Sequence, residues 1–251
     1  MFTTLIRSRN IHYPDSDGQP MADNTLQFDW ISILKWSLDY QFANDPRVFV
    51  AGDHLIYPVE GSNKICVAPD VYVAFGRPKG ERGSYQVWME SDIFPQIVFE
   101  VWSPSNRPEQ MKKKFEFYEL YGAQEYYVVH PETPAHVEIW RREGNRLAAV
   151  ADVANWVSPR TGLRFEVRRG ELFVFDSNGK ELGTPIETAR ERDRAFDLLR
   201  NASAARDEAV QKRDQAVQKR DEAVQKRDQA IEQAAKLAAK LRELGIDPDS
   251  I

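Results

Sequence analysis

The stretch that decides the fold is Ile97-Val98-Phe99-Glu100-Val101-Trp102-Ser103-Pro104-Ser105. Four of its first five residues are apolar, some of them β-branched, and the fifth is the acid Glu100. The Ser-Pro-Ser sequence at its end is a turn signal. The stretch therefore predicts a short buried β-strand. Because an unpaired carboxylate is costly to bury, we expect Glu100 either to face solvent or to meet a positive charge, such as a metal ion.

A second acid, Asp70, lies in a similar apolar stretch earlier in the chain. Cys66-Val67-Ala68-Pro69-Asp70-Val71-Tyr72-Val73 predicts a strand from about Val67 to Phe75 that carries Asp70. Because proline lacks a ladder donor, we expect this strand to be at an edge or irregular near Pro69. We expect Asp70 and Glu100 to converge on one hard divalent cation, Mg²⁺ or Mn²⁺, which prefers carboxylate oxygens. An Asp after Pro is also common in plain turns, and Asp29 and Asp53 show no spacing that relates them to a site.

A basic helix is predicted directly after the Glu100 strand. Residues 108–121 carry apolar side chains at helical spacing, and Gly122 is a plausible end. Lys114 lies four residues before Tyr118 and therefore shares its face, at the margin of the core. A lysine there could hold or deprotonate a water, or stabilise charge on a phosphate. The run Lys112 to Lys114 is equally compatible with a solvated helix face.

The remaining pattern predicts a mixed α/β fold. A helix is expected from about residue 24 to 42, capped by Asp23 or Asn24, and then a hairpin or bulged strand pair around 48–59. Residues 76–95 read as a long polar loop, and because loops of this length are usually functional, we expect it to contact the substrate. Strands at 125–130 and 135–141 form a hairpin, and weaker strands follow at 147–150, 163–167 and 172–175. This order is not a regular βαβ repeat.

Composition narrows the class of protein. The 251 residues carry a net charge of −5, which argues against a generic nucleic-acid coat protein but permits a locally basic nuclease groove. Cys66 is the single cysteine, so neither an intramolecular disulfide nor a cysteine zinc site is expected. No signal peptide or membrane-spanning run is predicted, which makes the cytoplasm the expected location.

The last quarter of the chain has a different character. A block Arg-Asp-Glu/Gln-Ala-Val-Gln-Lys recurs every seven residues from Arg206, with Val210, Val217, Val224 and Ile231 marking the repeat. A seven-residue apolar period is typical of a coiled coil that joins identical chains, but the apolar stripe is thin enough for a single solvated helix. We predict two domains, residues 1–185 and a helical tail at 186–251.

Four ordered blocks resemble the Uma family of "putative restriction endonucleases", within the PD-(D/E)xK nuclease superfamily. They are Val67 to Asp70, Phe99 to Asn106, Lys114 to Tyr118, and Tyr121 to Pro131, and the resemblance spans roughly residues 14 to 176. It implies a restriction-endonuclease-like core with a central mixed sheet flanked by helices.

The resemblance also implies roles for individual residues. Asp70 and Glu100 would be the metal-binding catalytic acids. The lysine usual two residues after the glutamate is replaced by Trp102, as is typical of this family, and Lys114 with Tyr118 matches its Lys-x-x-x-Tyr pattern. Asp23 occupies the place of an acid that often completes such sites.

Two hypotheses from different classes follow. The first is a metal-dependent DNA endonuclease centred on Asp70, Glu100 and Lys114, with the tail joining subunits. The second is a non-catalytic assembly or binding protein on a nuclease-like domain, in which the tail is the functional part. Hydrolysis of RNA or of nucleotides would use the same residues.

Overall fold

The computed structural model describes residues 11–245, which fall into two compact units, one ending at Thr188 and one beginning at Ala189. The division at residue 185 into two separately folding domains stays a proposal. The elements in chain order are α1 (Thr25–Gln41), β1 (Val48–Gly52), β2 (Ile56–Tyr57), β3 (Val71–Phe75), β4 (Tyr85–Gln86), β5 (Ile97–Val101), α2 (Pro108–Tyr121), β6 (Glu125–His130), β7 (His136–Glu143), β8 (Arg146–Ala149), β9 (Arg164–Arg168), β10 (Glu171–Phe175) and α3 (Pro185–Glu243).

The first unit is built on a six-stranded sheet of order β1-β3-β5-β6-β7-β8. β5 and β6 are parallel, and the other neighbours are antiparallel. A parallel pair needs a crossover connection, and α2 supplies it. The predicted mixed α/β fold, with its central mixed sheet and long C-terminal helix, is thereby confirmed.

The two faces of the sheet pack against different helices. Phe99 and Val101 share a core with Leu34 of α1, whereas Val98 shares a core with Tyr118 of α2. Successive side chains of a strand point to opposite faces, so Glu100 belongs to the same face as Val98. The predicted strand therefore points its one acid at the basic helix.

Helix α2 has the predicted bounds because its ends are encoded locally. Pro108 stands at its first turn, where a missing N–H costs nothing. Gly122 closes it with φ 103°, a left-handed conformation that glycine adopts without a steric penalty. Its buried face carries Tyr118, as the spacing predicted.

Three local predictions were wrong. Residues 48–59 are not a hairpin, because β1 pairs with β3 while β2 pairs in parallel with β4. Residues 76–95 are not an irregular loop, since they contain β4 and a 3-10 turn at Val87–Glu90 and bury Tyr85 and Phe94. The strand expected from about Val67 begins only at Val71, and Val67 instead forms an isolated bridge with Ile56. In each case, partners distant in sequence decided the pairing.

The second unit is helical. Helix α3 extends over 59 residues with no buried side chain among them, and the residues that mark the repeat, Val210, Val217, Val224 and Ile231, are exposed. Within residues 11–245, no helix combines the length and apolarity needed to cross a membrane.

Candidate active site

Neighbouring antiparallel strands bring the two predicted acids together. The register pairs Val71 of β3 with Phe99 of β5, and its continuation puts Asp70 opposite Glu100. Directly opposite residues lie on one face of the sheet. Both carboxylates are therefore directed to the side covered by α2.

Glu100 is the buried centre of the site, only 2% exposed. Its Oε2 accepts a hydrogen bond of 2.7 Å from Lys114 Nζ, and its Oε1 accepts one of 2.6 Å from Tyr118 Oη. Lys114 Nζ also donates to the Ala68 carbonyl oxygen at 3.2 Å. The acid in the apolar strand thus meets an ammonium group and a hydroxyl, both from α2.

Asp70 is held differently, by the backbone. Its Oδ2 accepts a hydrogen bond of 2.6 Å from the Val101 N–H, and no hydrogen bond to its Oδ1 is found within residues 11–245. Burial, followed by the charge of Glu100, raises the pKa of Asp70 to about 8. Asp70 is therefore held largely protonated at neutral pH unless further positive charge comes near it.

Lys114 is charged at neutral pH in this setting. Burial would lower its pKa, but the negative charges of Glu100 and Asp70 outweigh that effect and raise the pKa above its ordinary value. Its side chain keeps 31% of its exposure. The ammonium group therefore lies between the buried acid and solvent.

Asp23 is not brought into contact with these groups. Its Oδ2 accepts hydrogen bonds from the hydroxyls of Ser103, at 2.6 Å, and Ser105, and these bonds lower its pKa. The cap of α1 is Asn24, whose side chain accepts from the Gln27 N–H. In the described part of the chain, Asp23 secures the turn after β5 and has no bond to Asp70, Glu100 or Lys114.

Gln27 is a site neighbour that the sequence reasoning missed. It is buried on α1, and its Nε2 donates to the Val101 carbonyl oxygen at 3.0 Å. The residue that gives its N–H to Asp70 is therefore also held through its carbonyl group. A signal was available, because Gln27 is a polar residue in the apolar stripe of α1, the same kind of anomaly as Glu100.

Asp53 is a second residue that was missed. Its N–H donates to the carbonyl oxygens of Pro69 and Asp70 at 3.2 Å each, and its charge adds to those that raise the pKa of Asp70. The approach is close, since a Cβ on Gly52 would lie 2.9 Å from the Asp70 carbonyl oxygen. Nothing in the local sequence marks Asp53, because Gly-Asp there reads only as a turn.

Trp102 stands two residues after Glu100, at the position where nucleases of this kind usually have a lysine. Its ring stacks on His130 with centroids 5.1 Å apart, and its N–H continues the ladder to the Val129 carbonyl oxygen. The ammonium group comes instead from Lys114, one element later.

The donor set suits a hard divalent cation. It offers the unbonded oxygen of Asp70 and the remaining acceptor capacity of Glu100, since a carboxylate accepts about four hydrogen bonds and two are used here. Oxygen donors with excess negative charge fit Mg²⁺ or Mn²⁺. A bound cation would also offset the burial and the repulsion that together raise the pKa of Asp70.

The chain is similar to known proteins over much of its first unit. The model of the Uma2 family, described as "Putative restriction endonuclease", matches residues 19–168, more than half of the chain. Among solved structures, the chain is similar to "a putative nuclease belonging to DUF820" from Anabaena variabilis, at 13% identity and a TM-score of 0.41, covering 55% of this chain and 74% of that one. No curated protein matches the chain.

Proposed function

Since this chain belongs to the Uma2 family of "putative restriction endonucleases", we propose that it is a divalent-metal-dependent endonuclease that hydrolyses DNA phosphodiester bonds. The observation that carries the proposal is the contact of Lys114 Nζ with Glu100 Oε2 at 2.7 Å, in register with Asp70. Two acids on one sheet face and an ammonium group from the helix that covers this face are the groups that this hydrolysis requires.

Asp70 and Glu100 would hold the ion, Mg²⁺ or Mn²⁺. When bound there, it would supply positive charge against the scissile phosphate as negative charge builds up on it. Asp70 would hold the ion as an ionised carboxylate, which requires the loss of its proton, and the Val101 N–H keeps that carboxylate oriented. Tyr118 fixes one oxygen of Glu100 and leaves the other directed to Lys114.

Lys114 acts as a charge donor in this proposal. Of the roles that the sequence left open, proton abstraction is the least favoured, because the raised pKa of Lys114 keeps it protonated at neutral pH. Glu100 and the Ala68 carbonyl oxygen use two of its three N–H donors, and the third, together with the partial exposure of the side chain, suits contact with a phosphate oxygen or an attacking water. Preorganised positive charge of this kind stabilises the pentacoordinate phosphate of the transition state.

The tail would join two copies of the chain. Exposed valines at a seven-residue spacing are costly for a solitary helix and are covered when two such helices associate. A dimer would give each strand of a DNA duplex its own active site. The cytoplasmic location stays a prediction, supported by the single cysteine.

The test is cleavage of supercoiled plasmid by the full chain with Mg²⁺ or Mn²⁺. Glu100→Gln and Asp70→Asn should each abolish cleavage, whereas the control Glu109→Gln, an exposed acid on α2, should cleave normally. Equal cleavage by all three variants would contradict the proposal and indicate a contaminant. If the native chain neither cleaves nor binds Mg²⁺ at millimolar concentration in calorimetry, the non-catalytic assembly protein is the correct reading.

A further inference from the structure

Two histidines and a glutamate form a cluster where β6 and β7 are joined. His130 ends β6, and the register pairs it with His136, the first residue of β7. His130 Nε2 lies 3.1 Å, and His136 Nε2 3.9 Å, from Oε1 of Glu138. One ligand atom from each residue falls within 4.8 Å of the other two. Among the residues that the structure describes, none of these three side chains forms a hydrogen bond or ion pair with Asp70, Glu100 or Lys114.

The strand pattern explains why these side chains meet. Along β7, Val137 and Ile139 point into the core, so the alternate residues His136 and Glu138 project from the other face. His130 is the cross-strand partner of His136 and therefore projects on that same face. Three side chains able to bind a metal thus occupy one small area of a rigid strand pair.

Each histidine ring is held by a neighbouring group. His136 Nδ1 lies 3.4 Å from the Pro134 carbonyl oxygen, and donation there leaves the Nε2 lone pair directed toward Glu138. His130 is held between two rings, since Trp102 stacks on it at 5.1 Å and His136 at 4.0 Å between centroids.

We propose that His130, His136 and Glu138 form a second metal site, selective for a transition-metal ion of the Zn²⁺ class and independent of the carboxylate pair. Imidazole nitrogens prefer Zn²⁺, Ni²⁺ or Cu²⁺, whereas the oxygen donors of Asp70 and Glu100 prefer Mg²⁺ or Mn²⁺. Two imidazoles and one carboxylate are the protein ligands of a three-ligand zinc site, which leaves a fourth position open to solvent. Parallel rings must turn for both lone pairs to converge, and His136 is exposed enough to do so.

The site would lie beside the proposed active site. Glu138 pairs with Val128, and Val128 pairs with Glu100, so the two glutamates are two strands apart on one face, roughly 10 Å by ordinary strand spacing. Trp102, two residues after Glu100, touches His130. An ion here would add positive charge to the face on which a phosphate backbone would lie.

The experiment is a calorimetric titration of the tag-free full chain with Zn²⁺ alone, in buffer that contains excess Mg²⁺ to occupy the carboxylate pair. One Zn²⁺ should bind per chain. His136→Ala and Glu138→Gln, both at exposed positions, should each weaken binding by at least about tenfold, as loss of a group that supports a metal site does. His12→Gln, which removes an exposed histidine elsewhere, should bind like the native chain.

A second readout uses the ring next to the site. Cu²⁺ should quench the part of the tryptophan fluorescence that Trp102→Phe removes, and His136→Ala should abolish that quenching. Unchanged Zn²⁺ affinity in both ligand variants would overturn the proposal. So would Zn²⁺ binding that disappears only in Asp70→Asn or Glu100→Gln. Because the readout is Zn²⁺ binding, failure here is distinguishable from failure of the proposed cleavage.

Discussion

Replacing Lys114 by Met separates its two roles, as counter-charge for Glu100 and as a donor to the phosphate. Glu100 is 3% exposed in its side chain, whereas Lys114 is 31% exposed. Lys114→Met therefore leaves a buried carboxylate without its cation, while Glu100→Gln leaves an ammonium group that solvent can reach. The two variants should differ in stability for this reason.

The size of the effect follows from the burial. Removing one partner of a fully buried ion pair costs about 3–5 kcal/mol, and the partial exposure of Lys114 reduces this to about 2 kcal/mol through solvent screening. For a domain of this size, each kcal/mol lowers Tm by about 2–4 °C, so Lys114→Met should melt roughly 4–8 °C below the native chain without metal. Glu100→Gln should change Tm less.

Metal binding should respond in the opposite direction. The Lys114 ammonium group opposes a cation at the same carboxylates, so Lys114→Met should bind Mg²⁺ at least as tightly as the native chain while losing cleavage. Mg²⁺ should accordingly restore more of the Tm in this variant than in the native chain.

Thermal melting with chelator measures stability, melting with Mg²⁺ measures metal binding, and plasmid cleavage measures activity. Lys113→Met is the matched control, because Lys113 is an exposed neighbour on the same helix. Loss of Mg²⁺ binding in a folded Lys114→Met would refute the reasoning, as would native levels of cleavage.

Three further predictions concern other parts of the chain. Tyr118→Phe removes the 2.6 Å hydrogen bond to Glu100 and should lower the free energy of unfolding by about 1.5–3 kcal/mol in urea denaturation, whereas the exposed Tyr40→Phe should not. Asp70 has a pKa of about 8 and is therefore protonated below that pH. The affinity for Mg²⁺, measured by calorimetry, should rise about tenfold per pH unit up to about pH 8 and then level off. An affinity that does not change between pH 6 and 8 would contradict the raised pKa. Residues 1–184 alone should give a cooperative melt and, in sedimentation, fewer chains per particle than the full chain. An equal number of chains per particle would rule out the tail as the dimer contact.

Elements that are bounded by strong turn residues could be predicted from the sequence. The strand that carries Glu100 and the helix that carries Lys114 have the predicted bounds, because turn residues such as Pro104, Pro108 and Gly122 act on the backbone next to them. The pairing of β2 with β4 could not be predicted. Two-residue strands have too few side chains to show a period, and their partners are chosen by the packing of distant segments.

The candidate site shows the same division. The anomaly of an acid in an apolar strand points to Glu100, and helical spacing puts Lys114 on the face of Tyr118; their roles in catalysis and those of Asp70 stay proposals. Asp23 occupies a suggestive place in the sequence, yet its carboxylate is taken by the hydroxyls of Ser103 and Ser105. The group to which a carboxylate bonds depends on where its side chain points as well as on its position in the sequence. The folded backbone sets the direction of the side chain.

The sequence by itself determined the family, the mixed α/β class, and the helix and strand that carry the ammonium group and the buried acid, because periodicity and turn chemistry act over a few residues. Only the tertiary structure decided that Gln27 reaches the Val101 carbonyl oxygen, that Asp53 lies against Asp70, and that His130 meets His136 and Glu138. These contacts depend on strand register and on how α1 lies across the sheet. A shift of one residue would turn every side chain of a strand to the other face.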